Sequence, residues 1–355
     1  MDIRKLDKNF DFKTEIQREN IKFYDAEENP IAIYGIMKEG DAFCRMPQSI
    51  ADTVSEGVAS LNNCTTGGRV RFITNSPYVA ISVFESDAWN TSGWANMTYA
   101  CTMGYDMYAD EGDGQKWIGT FMPPEVVEGK YESVLDFPKK DKRERLVTIN
   151  LPIFSRITKI YIGIDGDCFI KEPSAYKNET PVVFYGSSIT HGVAASRPGN
   201  IYPLIISRTL DTNILNLGFS GNAKGETEIA EYIAGLNMSA FVYDYDYNAP
   251  NVEHLEATHE AMFKIIRKAN PELPIIMLSR PKAHLTPLEI KRMEVIRQTY
   301  DNAKAAGDEN VYFIAGTDLL TEDVWETALV DSAHPNDSGF LSMAKTVAAL
   351  LEEIL

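Results

Sequence analysis

Apolar and polar positions alternate in short runs through roughly the first half of the chain. The runs are VRFITN (70–75), YVAISVFE (78–85), NMTYACTM (96–103), YDMYAD (105–110), KWIGTF (116–121), RLVTINLP (145–152) and KIYIGID (159–165), parted by Gly, Pro, Asn and Asp clusters. A period of two marks strands buried on one face. Seven such runs with no convincing helix predict a β-sandwich or jelly roll. The polar segment KEPSAYKNETP (171–181) then ends this pattern.

Beyond it, PVVFYG (181–186), TNILNLG (212–218), AFVYDYD (240–246), LPIIML (273–278) and NVYFIAG (310–316) read as short buried strands. Helical patterns lie between and after them, at 201–210, 226–236, 252–270, 287–307 and 339–355. Strands alternating with helices predict parallel βαβ units and a doubly wound sheet. The expected division is a sandwich over residues 1–175 and an α/β domain over 176–355.

The chain has 355 residues and a net charge of −17, from 34 Lys and Arg against 51 Asp and Glu. That balance argues against nucleic acid as a partner, because phosphate binding needs clustered positive charge. No stretch reaches the roughly 18 uninterrupted apolar residues of a membrane span, and MDIRKLDKNF lacks the apolar core of a signal peptide. The expectation is a cytoplasmic protein without membrane contact, or a secreted one if a leader has been removed. Cys44, Cys64, Cys101 and Cys168 stand far apart with no C-x-x-C pair, which predicts buried reduced thiols.

In an open parallel sheet the ligand site lies beyond the carboxyl ends of the strands. The loop after the first such strand is GSSITHG (186–192), whose hydroxyls serve either as turn and cap groups or as a nucleophile at a helix start. The loop after the second strand, NLGFSGNAKG (216–225), has three glycines that allow N–H groups to face the site. Asn248 follows the third strand as a potential amide donor, and equally as an ordinary turn residue before Ala-Pro. Before the last helix stands LVDSAHPNDSGF, with Asp331 and His334 three residues apart, close enough for a carboxylate to orient an imidazole. Of the other histidines, His191 lies in the serine loop and His284 in a proline-flanked loop, and His254 and His259 are expected on an exposed helix face. No metal or organic cofactor is called for.

Together these blocks resemble the SGNH hydrolases, the GDSL family of esterases and lipases. Gly186-Ser187-Ser188-Ile189 is similar to GDSL with serine in place of aspartate, and Asn216 to Gly221 to the family's N-x-x-x-S-G turn. Asp331-Ser332-Ala333-His334-Pro335 carries D-x-x-H-P intact, whereas the third block, usually G-x-N-D, keeps only its asparagine, in Asp246-Tyr247-Asn248-Ala249. The resemblance implies a flavodoxin-like hydrolase domain with Ser188 as nucleophile, His334 as base and Asp331 as its orienting carboxylate. It further implies an oxyanion hole from the N–H groups of Ser188 and Gly221 and the amide of Asn248; Asn222, in the neighbouring second block, is the side-chain donor to consider should Asn248→Ala leave turnover unchanged. The GSSIT variant and the preceding sandwich resemble a subset similar to carbohydrate esterases that remove acetyl or other short acyl groups. The implied substrate is a small-molecule or oligosaccharide acyl ester. An acyltransferase, or a sugar-binding protein with weak catalysis, are the alternatives. Trp89, Trp94, Tyr105, Tyr108 and Trp117 are candidates for stacking on sugar faces or for core packing. The sandwich is accordingly expected to govern substrate choice more than the chemical step, and the oligomeric state is left open.

Overall fold

The computed structural model describes residues 16–86, 95–123 and 129–355. Two large antiparallel sheets, with a small hairpin of Met37–Glu39 and Ala42–Cys44, supply the strands described in the first half. One runs in the order Ile21–Asp25, Arg156–Asp165, Tyr78–Ser86, Gly129–Asp136. The other runs Ile170–Lys171, Arg69–Thr74, Arg145–Asn150, Tyr105–Asp110, Lys116–Phe121, with Ala32–Tyr34 also paired to Arg69–Thr74. Alternate residues of the two sheets, such as Val79, Ile81 and Val83 against Phe72, Val147 and Ile149, share one buried core. This is the sandwich that the period of two predicts.

Two features of this half differ from the expectation. NMTYACTM is not a strand, because Tyr99–Thr102 makes a single helical turn capped by the Thr98 hydroxyl, which accepts from Cys101 N. Over one turn, alternation and helical periodicity cannot be told apart. Helices also occur at Gln48–Val54 and Glu56–Leu61, which bury Ala51, Val58 and Leu61. Those side chains, with Met46, Cys64 and Phe154, join the core of the parallel sheet rather than that of the sandwich. All four cysteines are free and buried.

The second half is built on five parallel strands: β1 (Asn178–Gly186), β2 (Thr212–Gly218), β3 (Ala240–Asp244), β4 (Ile275–Leu278) and β5 (Val311–Ile314). Their order is 2-1-3-4-5, the flavodoxin-like winding, with helices in the connections. Helix Tyr202–Leu210 packs on Asp337–Ile354, while Thr227–Ala234, Val252–Ala269 and Pro287–Ala305 pack in succession. In this order the chain reverses direction between β1 and β3, which opens a crevice at their carboxyl ends. Register brings Gly186 beside Gly218 of β2 and beside Asp244 of β3, so three loops start in one row. No helix among the described residues is long and apolar enough to cross a membrane.

Candidate active site

Ser188 opens a helical turn, Ser188–His191, directly after β1. Ser187 caps that turn by accepting from Ile189 N at 3.2 Å. Turn and strand end can meet only because residue 186 is glycine. A Cβ there would stand 2.4 Å from Thr190 Oγ1 and 2.6 Å from the Asp244 carbonyl oxygen. Ser187 and Thr190 are wholly buried, whereas Ser188 is half-buried and reaches the crevice.

The loop before the last helix comes to meet it. Ser188 Oγ lies 2.9 Å from His334 Nε2, and His334 Nδ1 lies 2.8 Å from Asp331 Oδ2. A tight turn holds this pair: Val330 N donates to the His334 carbonyl at 3.0 Å, and Asp331 Oδ1 accepts from the N–H groups of Ala333 and His334, each at 2.8 Å. Asn96, from the first half, donates to Asp331 Oδ2 at 2.9 Å. Partial burial pulls the Asp331 carboxyl upward. The two backbone N–H groups, the imidazole and the Asn96 amide outweigh it and hold the group well below the usual carboxylate range. An ionised Asp331 facing Nδ1 fixes the tautomer that leaves Nε2 free to accept a proton from Ser188.

The loops after β2 and β3 start beside the end of β1 and are tied to one another through Phe219. Gly221 has φ +71 and open space where a Cβ would be, the conformation glycine adopts without strain. Among the described residues, neither Ser188 N–H nor Gly221 N–H has a bonded partner. Asn248 Nδ2 donates one N–H to the Phe219 carbonyl at 3.1 Å, which leaves its second N–H unassigned. Phe219 is itself tied down by donation from its N–H to Gly186 O at 2.8 Å. Asn222 Nδ2 donates to Ser220 O at 2.7 Å.

Several residues that shape the site are given no role by the sequence. Asp244, buried at the end of β3, accepts from the Ser187 hydroxyl at 3.1 Å and from Thr190 Oγ1 at 3.0 Å. Burial pushes its carboxyl up to about 7 against the lowering pull of those donors. Asp246 binds Arg292 Nε at 2.6 Å and Arg280 Nε at 3.1 Å, and these bonds pin the turn that carries Asn248. Arg45 is fully buried and donates to the carbonyls of Asn216 at 3.1 Å and Gly218 at 2.6 Å, so a side chain of the first half grips the end of β2. Asp246 opens the third block, but its ion pairs, like the contacts of Asp244 and Arg45, are made with partners distant in the sequence.

The remaining histidines and aromatics take other places. Burial, together with the charge of Arg45, lowers His191 to about 3, and its Nε2–H donates to the Ile153 carbonyl at 2.7 Å. It is a neutral packing residue. His259, expected on an exposed face, is buried and lowered by that burial to about 3, stacked on Tyr243 and bonded to Thr299. Its helix is covered on that side by Pro287–Ala305, which a single-helix pattern does not reveal. Tyr105 and Tyr108 are buried, with hydroxyls bonded to Glu85 and Arg197, so they are not available for stacking on a ligand. Trp117 is 52% exposed beside Arg197, and Trp89 and Trp94 lie outside the described residues. Among the described residues no group of three or more His, Cys, Asp or Glu side chains is gathered as a metal ion would require.

The chain is similar to known proteins over nearly all its length. Residues 179–352 match the GDSL-like lipase/acylhydrolase family, and 21–170 match the family that forms the N-terminus of SGNH-hydrolase-type esterases. A GDSL-like protein of Bacteroides ovatus superposes with a TM-score of 0.83 at 27% identity, covering 94% of this chain and 98% of its own. A salicylyl-acyltransferase from a tetracycline biosynthetic pathway follows at 0.75 and 17%, covering 96% and 99%. An acetyl xylan esterase of the rumen bacterium Butyrivibrio proteoclasticus gives 0.61 and 14%, covering 94% and 98%. The last two likenesses show the fold alone. No curated protein sequence matches the chain. With both of its halves matched and the blocks of the resemblance meeting at one crevice, the chain belongs to the SGNH, or GDSL-type, hydrolase family.

Proposed function

We propose that the protein is a serine esterase that cleaves short acyl esters, acetyl foremost, from a neutral carbohydrate. Ser188 Oγ attacks the ester carbonyl while its proton passes to His334 Nε2, and Asp331 stabilises the imidazolium through Nδ1–H. The tetrahedral oxyanion accepts from the N–H groups of Ser188 and Gly221 and from the free N–H of Asn248. Collapse expels the sugar alcohol, which takes the proton from His334. Water then attacks the acyl-enzyme with His334 again as base, and the carboxylic acid leaves.

The observation that carries this reading is the unbroken chain of 2.9 and 2.8 Å contacts from Ser188 through His334 to Asp331, at the crevice where the sheet winding reverses. The net charge of −17 favours a neutral sugar over a polyanion. The acetyl and carbohydrate assignments draw on the likeness to the acetyl xylan esterase.

A fluorophosphonate probe and a panel of p-nitrophenyl esters and acetylated sugars test it. Ser188 should be phosphonylated, acetate should be released from the sugars, and Ser188→Ala should lose roughly 10⁴-fold or more in turnover, as for loss of a triad member. Turnover by Ser188→Ala within tenfold of the parent would sink the assignment. Transfer of the acyl group to an added alcohol in preference to water would make the protein an acyltransferase.

A further inference from the structure

Three consecutive residues of the first half touch both loops that carry the reacting groups. Asn96 donates to Asp331 Oδ2 at 2.9 Å. Met97 Sδ accepts from Ala194 N at 3.1 Å, in the loop that follows the Ser188 turn, where Ala194 holds φ 76. Thr98 Oγ1 donates to the Ser196 carbonyl at 2.8 Å, two residues further along that loop. Asp337, at the start of the last helix, closes the circuit by accepting from Ser196 N at 2.8 Å and from Asn200 Nδ2 at 2.7 Å.

Within this circuit Asn96 has a particular place. Asp331 Oδ1 is fixed by two backbone N–H groups, but Oδ2 faces His334 Nδ1 and its only other partner among the described residues is the Asn96 amide. A second donor on Oδ2 stops the carboxylate rotating away from the imidazole. Asparagine supplies it without adding charge, whereas aspartate of the same shape would set a like charge against Asp331. We propose that Asn96 is a positioning residue of the reaction, through which the sandwich half holds Asp331 and hence His334 in the geometry that proton transfer from Ser188 requires. The proposal rests on the esterase reading of Ser188, His334 and Asp331. It reverses the expectation that this half acts on substrate choice more than on the chemical step.

The full chain carrying Asn96→Leu or Asn96→Asp tests it. The Asp331 side chain is 37% exposed, so water partly replaces the lost donor and the effect stays moderate. For Asn96→Leu, kcat on p-nitrophenyl acetate should fall about tenfold with KM within about twofold, because geometry of the chemical step rather than substrate binding is lost. Asn96→Asp should fall further, by about a hundredfold, through like-charge repulsion. The phosphonylation rate of Ser188 should drop in parallel, and the downfield proton signal of His334 Nδ1 should move in both variants at an unchanged melting temperature. A parental kcat and an unmoved proton signal in Asn96→Leu overturn the proposal. So does unfolding of both variants, which would make the contact a structural tie only. If the parent itself is not phosphonylated, the esterase reading fails instead, and that outcome is distinct because it precedes any comparison of variants.

Discussion

Removing the Asn248 side chain addresses the block in which this chain departs most from its family. In Asn248→Ala the turn itself should persist, since main-chain and remote contacts hold it. Asn248 N donates to the Tyr245 carbonyl at 2.9 Å, Arg292 donates to the Ala249 carbonyl at 2.8 Å, and Asp246 is locked between Arg280 and Arg292. Two things are lost. One is the neutral bond to Phe219 O, worth about 1 kcal/mol of stability. The other is the free N–H offered to the oxyanion, worth roughly 3 kcal/mol of barrier, or about 10²–10³ in kcat. KM should hardly move, because that bond strengthens mainly in the transition state. Steady-state hydrolysis of p-nitrophenyl acetate, with a thermal melt as control, measures both effects. A kcat within threefold of the parent at a melting temperature a few degrees lower would refute the role of Asn248. It would turn attention to Asn222, whose amide would have to leave the Ser220 carbonyl it now bonds at 2.7 Å.

Glu85 lies buried in the sandwich, bonded by the Tyr105 hydroxyl at 2.9 Å, and burial pushes its carboxyl from 4.5 up to about 7. The unfolded chain therefore releases this proton first, and stability falls as pH rises from about 4.5 to 7, by about 3 kcal/mol. Urea unfolding of Glu85→Gln at pH 5 and 8 should show that loss removed, and curves parallel to the parent's would contradict the account. Gly186→Ala should cost about 2–3 kcal/mol from overpacking against Thr190 and Asp244 and should slow phosphonylation of Ser188. Unchanged stability would mean that the crevice relaxes more readily than its contacts imply.

What could be read from the sequence was what is local. The blocks around Ser188, Gly221, Asn248 and His334 are short, and each follows a strand or precedes a helix, so hydropathy alone locates them at the carboxyl edge of a parallel sheet. The strands missed in the first half were edge pieces. Gly129–Asp136 pairs only with Tyr78–Ser86 and wholly buries just Tyr131, so its pattern of apolar positions is faint. Asn96 and Arg45 act across 235 and 171 residues of chain, and nothing near them in sequence tells of the partner. Asp244 lay within a strand-end run already in view, yet its role depends on register with Gly186.

That register also gives Ser187, which stands where the GDSL block has aspartate, a carboxylate neighbour. With Ser187 in place, the carboxylate that meets this loop comes from Asp244 on the neighbouring strand and accepts from both Ser187 and Thr190. The two carboxylates near Ser188 are then driven in opposite directions. Asp331, edged by backbone donors and partly exposed, is held ionised, while burial pushes Asp244 to about 7. Such a split assigns different work to chemically identical groups. On the esterase reading, a full negative charge at Asp244, which accepts from Ser187 beside Ser188, would oppose the oxyanion that forms when Ser188 attacks. The same charge at Asp331 is directed through His334 and favours the imidazolium. On that reading, raising the first carboxyl and lowering the second would both act in favour of the transition state. Arg45 also spans the two halves: its guanidinium, lowered by burial only to about 10, donates to the carbonyls of Asn216 and Gly218 at the end of β2. It reaches the end of β2 from the sandwich half, as Asn96 reaches Asp331 from there.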